Sequence, residues 1–301
     1  MFYYPLYPYY GQTMKCKEQI LSFPPQAQPY QPGLEYLMTP RPIYENQDYN
    51  GSGKLRGKTA IITGGDSGIG RAAAIAFAKE GADVAFTYLL EHADAEETKH
   101  RIEELGQRCL SISLDMRTKA ACTEAVEKTV EAFGKLDIVV NNQGVSYPQA
   151  SLLHITEEQL EHTFRTNVYS YIFVTQAALP YLKFGDSIIN TASILAYHGE
   201  KLLIDYSSSK GAVISFTRSM ALALAEQGIR VNAVSPGHVW TPLIASTFPV
   251  DRTVTFGTDT PMKRAGQPFE LAPTYVYLAS DDSRFVTGET LHVNGGHFIT
   301  T

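Results

Sequence analysis

Cysteine is scarce. Cys16, Cys109 and Cys122 are the only three in 301 residues, and no two share a Cys-x-x-Cys spacing. Neither a disulfide framework nor a thiolate metal site is expected, and a reduced, cytoplasmic setting fits. Basic charge is not in excess: the net charge is −6, which argues against nucleic acid and anionic membranes as partners. No apolar run approaches the roughly 18 residues that a membrane-crossing helix needs. Pro5 and Pro8 break the aromatic run at the start, so no signal peptide is expected. The histidines, His92, His100, His154, His162, His198, His238, His292 and His297, show no paired metal spacing, and no metal is expected. What the chain does have is 44% apolar residues against 19% charged, enough to bury a large core.

Residues 1–50 differ from the rest. They hold nine of the 18 tyrosines and eight of the 16 prolines. Proline this dense prevents regular helix or central strand. Disordered tails are usually poor in aromatics, so an extended arm is expected, packed along its own domain or a neighbouring subunit. Asn50-Gly51-Ser52-Gly53 reads as a short flexible joint closing that arm.

From residue 58 the pattern alternates. Strands are expected at 59–63, 83–88, 108–114, 136–140, 187–191, 229–234 and 290–293. Helices are expected at 71–80, 94–105, 119–133, 157–182 (as one or two), 206–226 and 267–279. Such alternation implies a parallel sheet covered on both faces: an α/β, doubly wound, Rossmann-type fold. The expected organisation is one domain, 55–301, preceded by an arm, 1–54. The acidic run 91–104, interleaved with Lys99, His100 and Arg101, reads as a solvated helix face.

The turn after the first strand reads Thr63-Gly64-x-x-x-Gly68-x-Gly70. Gly64 permits the tight turn, Gly68 lets backbone approach a diphosphate, and Gly70 lets helix and strand pack closely. The helix start offers amides and a positive dipole end to that diphosphate. No Gly-Lys-Ser/Thr follows, so the spacing does not fit a nucleoside-triphosphate loop. Dinucleotide sites often place an acid at the end of the second strand to hold a ribose 2′-hydroxyl. Tyr88 and Leu89 stand there instead, with Glu91 following. Arg71 is either a partner for a 2′-phosphate or an exposed helix arginine, so NAD and NADP both remain open.

A second constellation follows the fifth strand. Ser193 sits at its end, and Tyr206-x-x-x-Lys210 opens the next helix. Residues four apart share a helix face, which puts the Lys210 ammonium beside the Tyr206 phenol. A phenol with a pKa of about 10 is a poor proton donor and acceptor at neutral pH. One close cation lowers it by about 1–3 units, and an oxidised nicotinamide adds to that. Tyr-x-x-x-Lys alone is a weak signal: Tyr197 and Lys201 repeat it, with Gly199 between them.

The order of the motifs is what makes them specific. The glycine turn, Asn141-Asn142-Gln143-Gly144, Asn167, Ser193, Tyr206-x-x-x-Lys210 and Pro236-Gly237 follow one another as in the short-chain dehydrogenase/reductase family, which residues 55–301 resemble. The arm, with Phe23-Pro24-Pro25-Gln26 and Pro40-Arg41-Pro42, is similar to the glucose- and ribitol-dehydrogenase-like subgroup that includes bacterial general-stress proteins.

The resemblance implies hydride transfer between NAD or NADP and a small-molecule alcohol or carbonyl compound (aldehyde, sugar or polyol). It implies Tyr206 as general acid/base, Lys210 as its modulator and ribose ligand, Ser193 as the group orienting the substrate oxygen, and Asn167 as holder of a water linking Lys210 to solvent. Cofactor contacts are implied for Gly64, Asp66, Ser67, Gly68, Ile69, Gly70, Asp115, Met116, Asn142, Gly144, Lys210, Pro236, Gly237, Val239 and Thr241. Gln143 departs from the family's usual Ala. Trp240 and residues 243–256 are expected to form a mobile lid or wall over the substrate. A homotetramer is implied, with interfaces on helices 157–182 and 206–226. Two alternatives are a 3-oxoacyl-carrier-protein reductase and a non-catalytic dinucleotide-sensing stress protein; the usual sign of the latter, a lost Tyr or Lys, is not seen.

Overall fold

The structure is a computed structural model that describes residues 22–299 and one short antiparallel pair, Tyr7–Pro8 with Glu18–Gln19. Most of the initial tyrosine run, and Cys16, lie outside the described residues. The main sheet has seven parallel strands: β1 (Thr59–Thr63), β2 (Asp83–Tyr88), β3 (Cys109–Ser113), β4 (Ile138–Asn141), β5 (Ser187–Thr191), β6 (Arg230–Pro236) and β7 (Thr290–Val293). Their order is β3-β2-β1-β4-β5-β6-β7. The chain reverses direction of growth between β1 and β4, and that crevice is where a doubly wound sheet binds ligand.

Alternation along each strand builds two cores. Ala60, Ile62, Val84, Phe86, Ile138 and Val140 face one way, toward α1 (Gly68–Lys79) and α10 (Pro268–Ala279). Ile61, Ala85, Val139, Ile188 and Val231 face the other, toward α3 (Lys119–Phe133) and α5 (Ser170–Ala178). The buried alanines of α1 are small enough for α10 to pack closely. Helix α3 has clear ends: Thr118 accepts from the Ala121 amide, and Gly134 closes it at φ +79.

The expected helix over 157–182 is divided into α4 (Glu157–Phe164), one π-helical turn at Arg165–Tyr169, and α5. Short helices α6 (Leu195–His198), α8 (Pro242–Thr247) and α9 (Val250–Val254) fall where no helix was expected, and α7 (Ile204–Leu224) follows α6. Among the described residues no helix is long and apolar enough to cross a membrane.

Residues 22–54 run along their own chain. Phe23 stacks on Trp240 with ring centroids 3.7 Å apart and planes 9° apart, and the Trp240 indole donates to the Pro40 carbonyl at 3.0 Å. Trp240 is fully buried, so it belongs to this small core and not to a mobile lid. The expected flexible joint is fastened as well. Ser52 and Lys54 amides both donate to Glu80 at 2.9 Å, and a Cβ at Gly51 would lie 1.8 Å from the Lys79 carbonyl oxygen. The face of α2 (His92–Glu104) expected to meet solvent is partly covered too. Arg41 and Tyr44 bond Glu97, and Glu45 takes Arg101 in two bonds of 2.9 and 2.8 Å.

Candidate active site

Ser193 stands two residues beyond β5, and α7 starts at Ile204, so Tyr206 and Lys210 occupy its first two turns. All three line one cleft of about 300 Å³. The Ser193 hydroxyl accepts from the Leu195 amide at 3.2 Å. Burial raises the Tyr206 phenol above its ordinary value, and the nearby Ser193 hydroxyl offsets this only in part. Lys210 Nζ lies near the Tyr206 ring but makes no hydrogen bond to its hydroxyl. It lies 5.8 Å from the Tyr206 ring centroid and donates to the Thr191 carbonyl at 2.8 Å and the Tyr171 hydroxyl at 3.3 Å. Burial without an anionic partner lowers its pKa to about 7. The chain alone therefore does not produce the lowered Tyr206 pKa that the helix spacing suggested.

Asn167 does not line the cleft. It sits on the π-helical turn directly behind it, where its side chain accepts from the Val145 amide at 2.9 Å and donates to the Val145 carbonyl and to Ser209. An added Cβ on Gly144 would meet Asn167 Oδ1 at 3.5 Å and Lys210 Nζ at 3.7 Å, so these groups share one wall. Tyr171, one turn after Asn167, was not singled out from the sequence. Its hydroxyl donates to the Gln143 carbonyl at 2.8 Å and fixes the second acceptor of Lys210.

The glycine turn forms the other end. Gly64 and Gly68 have φ of +64 and +51, a region that favours glycine. A Cβ at Gly70 would lie 1.9 Å from the Gly64 carbonyl oxygen, so Gly70 serves the packing and does not itself line the cleft. Asn142 holds this turn by donating to the carbonyls of Thr63 and Gly64 at 3.1 and 3.0 Å. Gln143 contributes its backbone to the Gly64 contact and donates its side chain to the Thr166 carbonyl. The remaining sequence-derived residues, Asp66, Ser67, Ile69, Asp115, Met116, Pro236, Gly237, Val239 and Thr241, all line the cleft.

Residues from the N-terminal segment also reach it. Gln31, Pro32 and Gly33 line the cleft, and the Gln31 amide clasps Ser146 through both its atoms. Beyond them, Glu35 accepts from the Gly68 amide at 2.7 Å and pairs with Arg71 at 2.7 Å. Arg71 is neither exposed nor placed for a 2′-phosphate. It is wholly buried, with its other donors on the carbonyls of Asp66 and Asp94. At the far end, Arg117 holds Asp115 and keeps that carboxyl below its usual range. Asp66 is pushed up to about 8 by burial, then by Glu91, and its Oδ2 has no partner among the described residues.

A dinucleotide fits these residues. The cleft runs from the Ser193–Tyr206 pair to a glycine turn that opens a twelve-residue helix at the strand-order switch. Comparison with known proteins agrees. A family profile described as Enoyl-(Acyl carrier protein) reductase matches residues 64–297.

The chain belongs to the short-chain dehydrogenase/reductase family.

It is 57% identical over 278 residues to General stress protein 39 of Bacillus subtilis, covering 92% of this chain and 97% of that one. It is 48% identical over 281 residues to NADPH-dependent aldehyde reductase 1, chloroplastic, of Arabidopsis thaliana, covering 91% and 98%. A solved Burkholderia cenocepacia short-chain dehydrogenase in complex with NADP superposes with a TM-score of 0.76 at 34% identity, over 81% of this chain and 99% of that one. The protein is therefore an NAD(P)-dependent oxidoreductase of this family.

Proposed function

We propose that the protein moves a hydride reversibly between a nicotinamide dinucleotide and an aldehyde, sugar or polyol, with Tyr206 as general acid and base. The observation that carries this reading is the convergence of Ser193, Tyr206 and Lys210 on the same cleft as the glycine turn. The aldehyde reductase and the NADP-bound dehydrogenase among its relatives support it.

The bound nicotinamide supplies or accepts the hydride. The chain's own groups handle the oxygen and its proton. Ser193 holds the substrate oxygen next to the Tyr206 hydroxyl. In the reducing direction Tyr206 gives its proton to that oxygen, a step for which a raised pKa in the cofactor-free state keeps the phenol protonated. Lys210, with a pKa of about 7, is poised to carry a proton at neutral pH. Asn167 positions the Val145 backbone and Ser209 around it. We assign dinucleotide contact to Gly64, Asp66, Ser67, Gly68, Ile69, Asp115, Met116, Asn142, Gly144, Pro236, Gly237, Val239 and Thr241, with Gly70 shaping the turn.

The test is turnover of aldehydes with NADPH and NADH, and of polyols with the oxidised forms, by wild type and Tyr206→Phe. We expect kcat to fall by about 10²–10⁴ with dinucleotide affinity retained. Undiminished turnover in the variant removes Tyr206 from the reaction.

We also propose residues 1–54 as an arm, 55–301 as the catalytic domain, and a cytoplasmic homotetramer formed through α4, α5 and α7. Leu160 on α4 and Leu222 on α7 are apolar and 43% and 83% exposed, which supports those faces. Sedimentation equilibrium should return four times the chain mass; a monomer contradicts this.

A further inference from the structure

Three segments converge near the ends of β6 and β7. His238 directly follows Gly237 in the loop after β6. Asp259 lies in the turn beyond α9, and His297 in the segment after β7. One ligand-type atom from each of the three lies within 4.8 Å of the others. The two imidazole centroids are 4.8 Å apart. Nδ1 of His238 and Nδ1 of His297 are both buried and have no hydrogen-bond partner among the described residues. Buried polar atoms are normally paired, so two orphaned imidazole nitrogens beside one carboxylate need an explanation.

We propose that His238, Asp259 and His297 bind a divalent transition-metal cation of the zinc type. Two imidazoles and a carboxylate are a donor set that zinc accepts, with the fourth position left to water. Zinc–ligand bonds of about 2.0–2.2 Å place tetrahedral ligands roughly 3.3–3.6 Å apart. The three side chains, within 4.8 Å of one another, must therefore draw together by up to about 1.5 Å, and Asp259 is exposed. Its exposure also provides the entry path that a metal site requires.

The backbone around the three groups is already tied. The Met262 amide donates to the Gly295 carbonyl at 3.2 Å, Gly237 to Val293 at 3.0 Å, and Gly266 to His238 at 2.8 Å. His198 stacks near His297 at 5.5 Å, but its ligand atoms are not among those that converge. The carboxylate of Asp259 disfavours an anion in the same place. None of the three residues lines the dinucleotide cleft, and only His238 adjoins residues that do, Gly237 and Val239. The cation joins the loop after β6 to the segment after β7, which is a structural role. Sequence spacing gave no hint of it, because each ligand comes from a different loop.

The experiment uses the full chain without a histidine tag, stripped with chelator and dialysed. Zinc chloride is titrated by calorimetry, and cobalt chloride by visible absorption. We expect one saturable equivalent, a cobalt spectrum of low coordination number, and at least a tenfold weaker affinity in both His297→Gln and Asp259→Asn. NADPH titration of the same samples checks that the variants are folded. No saturable binding by wild type overturns the site, and so does binding undiminished in both variants.

Discussion

Two buried cations, Arg71 and Lys210, meet opposite surroundings. Arg71 is surrounded by acceptors: the Glu35 carboxylate, the Asp66 and Asp94 carbonyls, and the Asp94 carboxylate at 3.4 Å. Lys210 is 2% exposed and faces only a carbonyl and a phenol. The first cation fastens the N-terminal segment to α1. The second is left to titrate near neutrality. Equal burial thus yields a paired structural group where countercharge is supplied and a titrating one where it is withheld.

The largest expected effect comes from breaking the paired side. Arg71→Met leaves Glu35 and Asp94, both already raised chiefly by burial, with only the longer Arg41 pairs at 3.6 and 3.9 Å, and should cost about 3 kcal/mol in urea unfolding. A loss below about 1 kcal/mol would mean that the cluster relaxes into solvent and that the contrast is false.

The next effect isolates Lys210. Its folded pKa lies below the unfolded value of about 10.4, so the unfolded chain binds the extra proton between the two. Wild type should therefore gain stability relative to Lys210→Met as pH rises from 7 toward 10, by at most a few kcal/mol. Thermal melts of both proteins across that range check the slope, and parallel curves would contradict it.

Asp66 should show the opposite sign. Its folded pKa is pushed up to about 8, so the folded chain holds a proton that the unfolded chain has lost above about pH 4. Wild type should lose stability relative to Asp66→Asn as pH rises from 4 to 8. The change is smaller because Glu91 shares the interaction.

The smallest effect is at Asp115. Its pair with Arg117 is about 40% exposed on both sides, and Asp115→Asn should change unfolding stability by less than about 1 kcal/mol.

The contrast also marks what could be read from the sequence. Short apolar runs revealed the strands, because the central ones are buried on both faces, and period-3.6 patterns revealed the long helices, because each buries one face against the sheet. Gly64, Gly68 and Gly70 were legible because their conformations and contacts admit little else. The partner of Arg71 was not legible. Glu35 lies in a proline-rich segment without periodicity, so nothing local announces that it caps α1 or that Arg71 is buried. Trp240 was misplaced for the same reason, since Phe23 comes from that segment. The π-helical turn at Asn167 was hidden inside a continuous helical pattern, because one extra residue per turn leaves no compositional trace. The position of Lys210 Nζ over the ring depended on Tyr171 and Thr191, which helix spacing does not include.

The most direct measurement is the ionisation of Lys210 itself in the dinucleotide-free protein. Lysine side chains carrying an NMR label can be titrated in wild type, with Lys210→Met assigning the resonance. A midpoint near 7 is the predicted result. A midpoint near 10.4, the value of a solvated lysine, would show that the amine finds countercharge and would contradict the account.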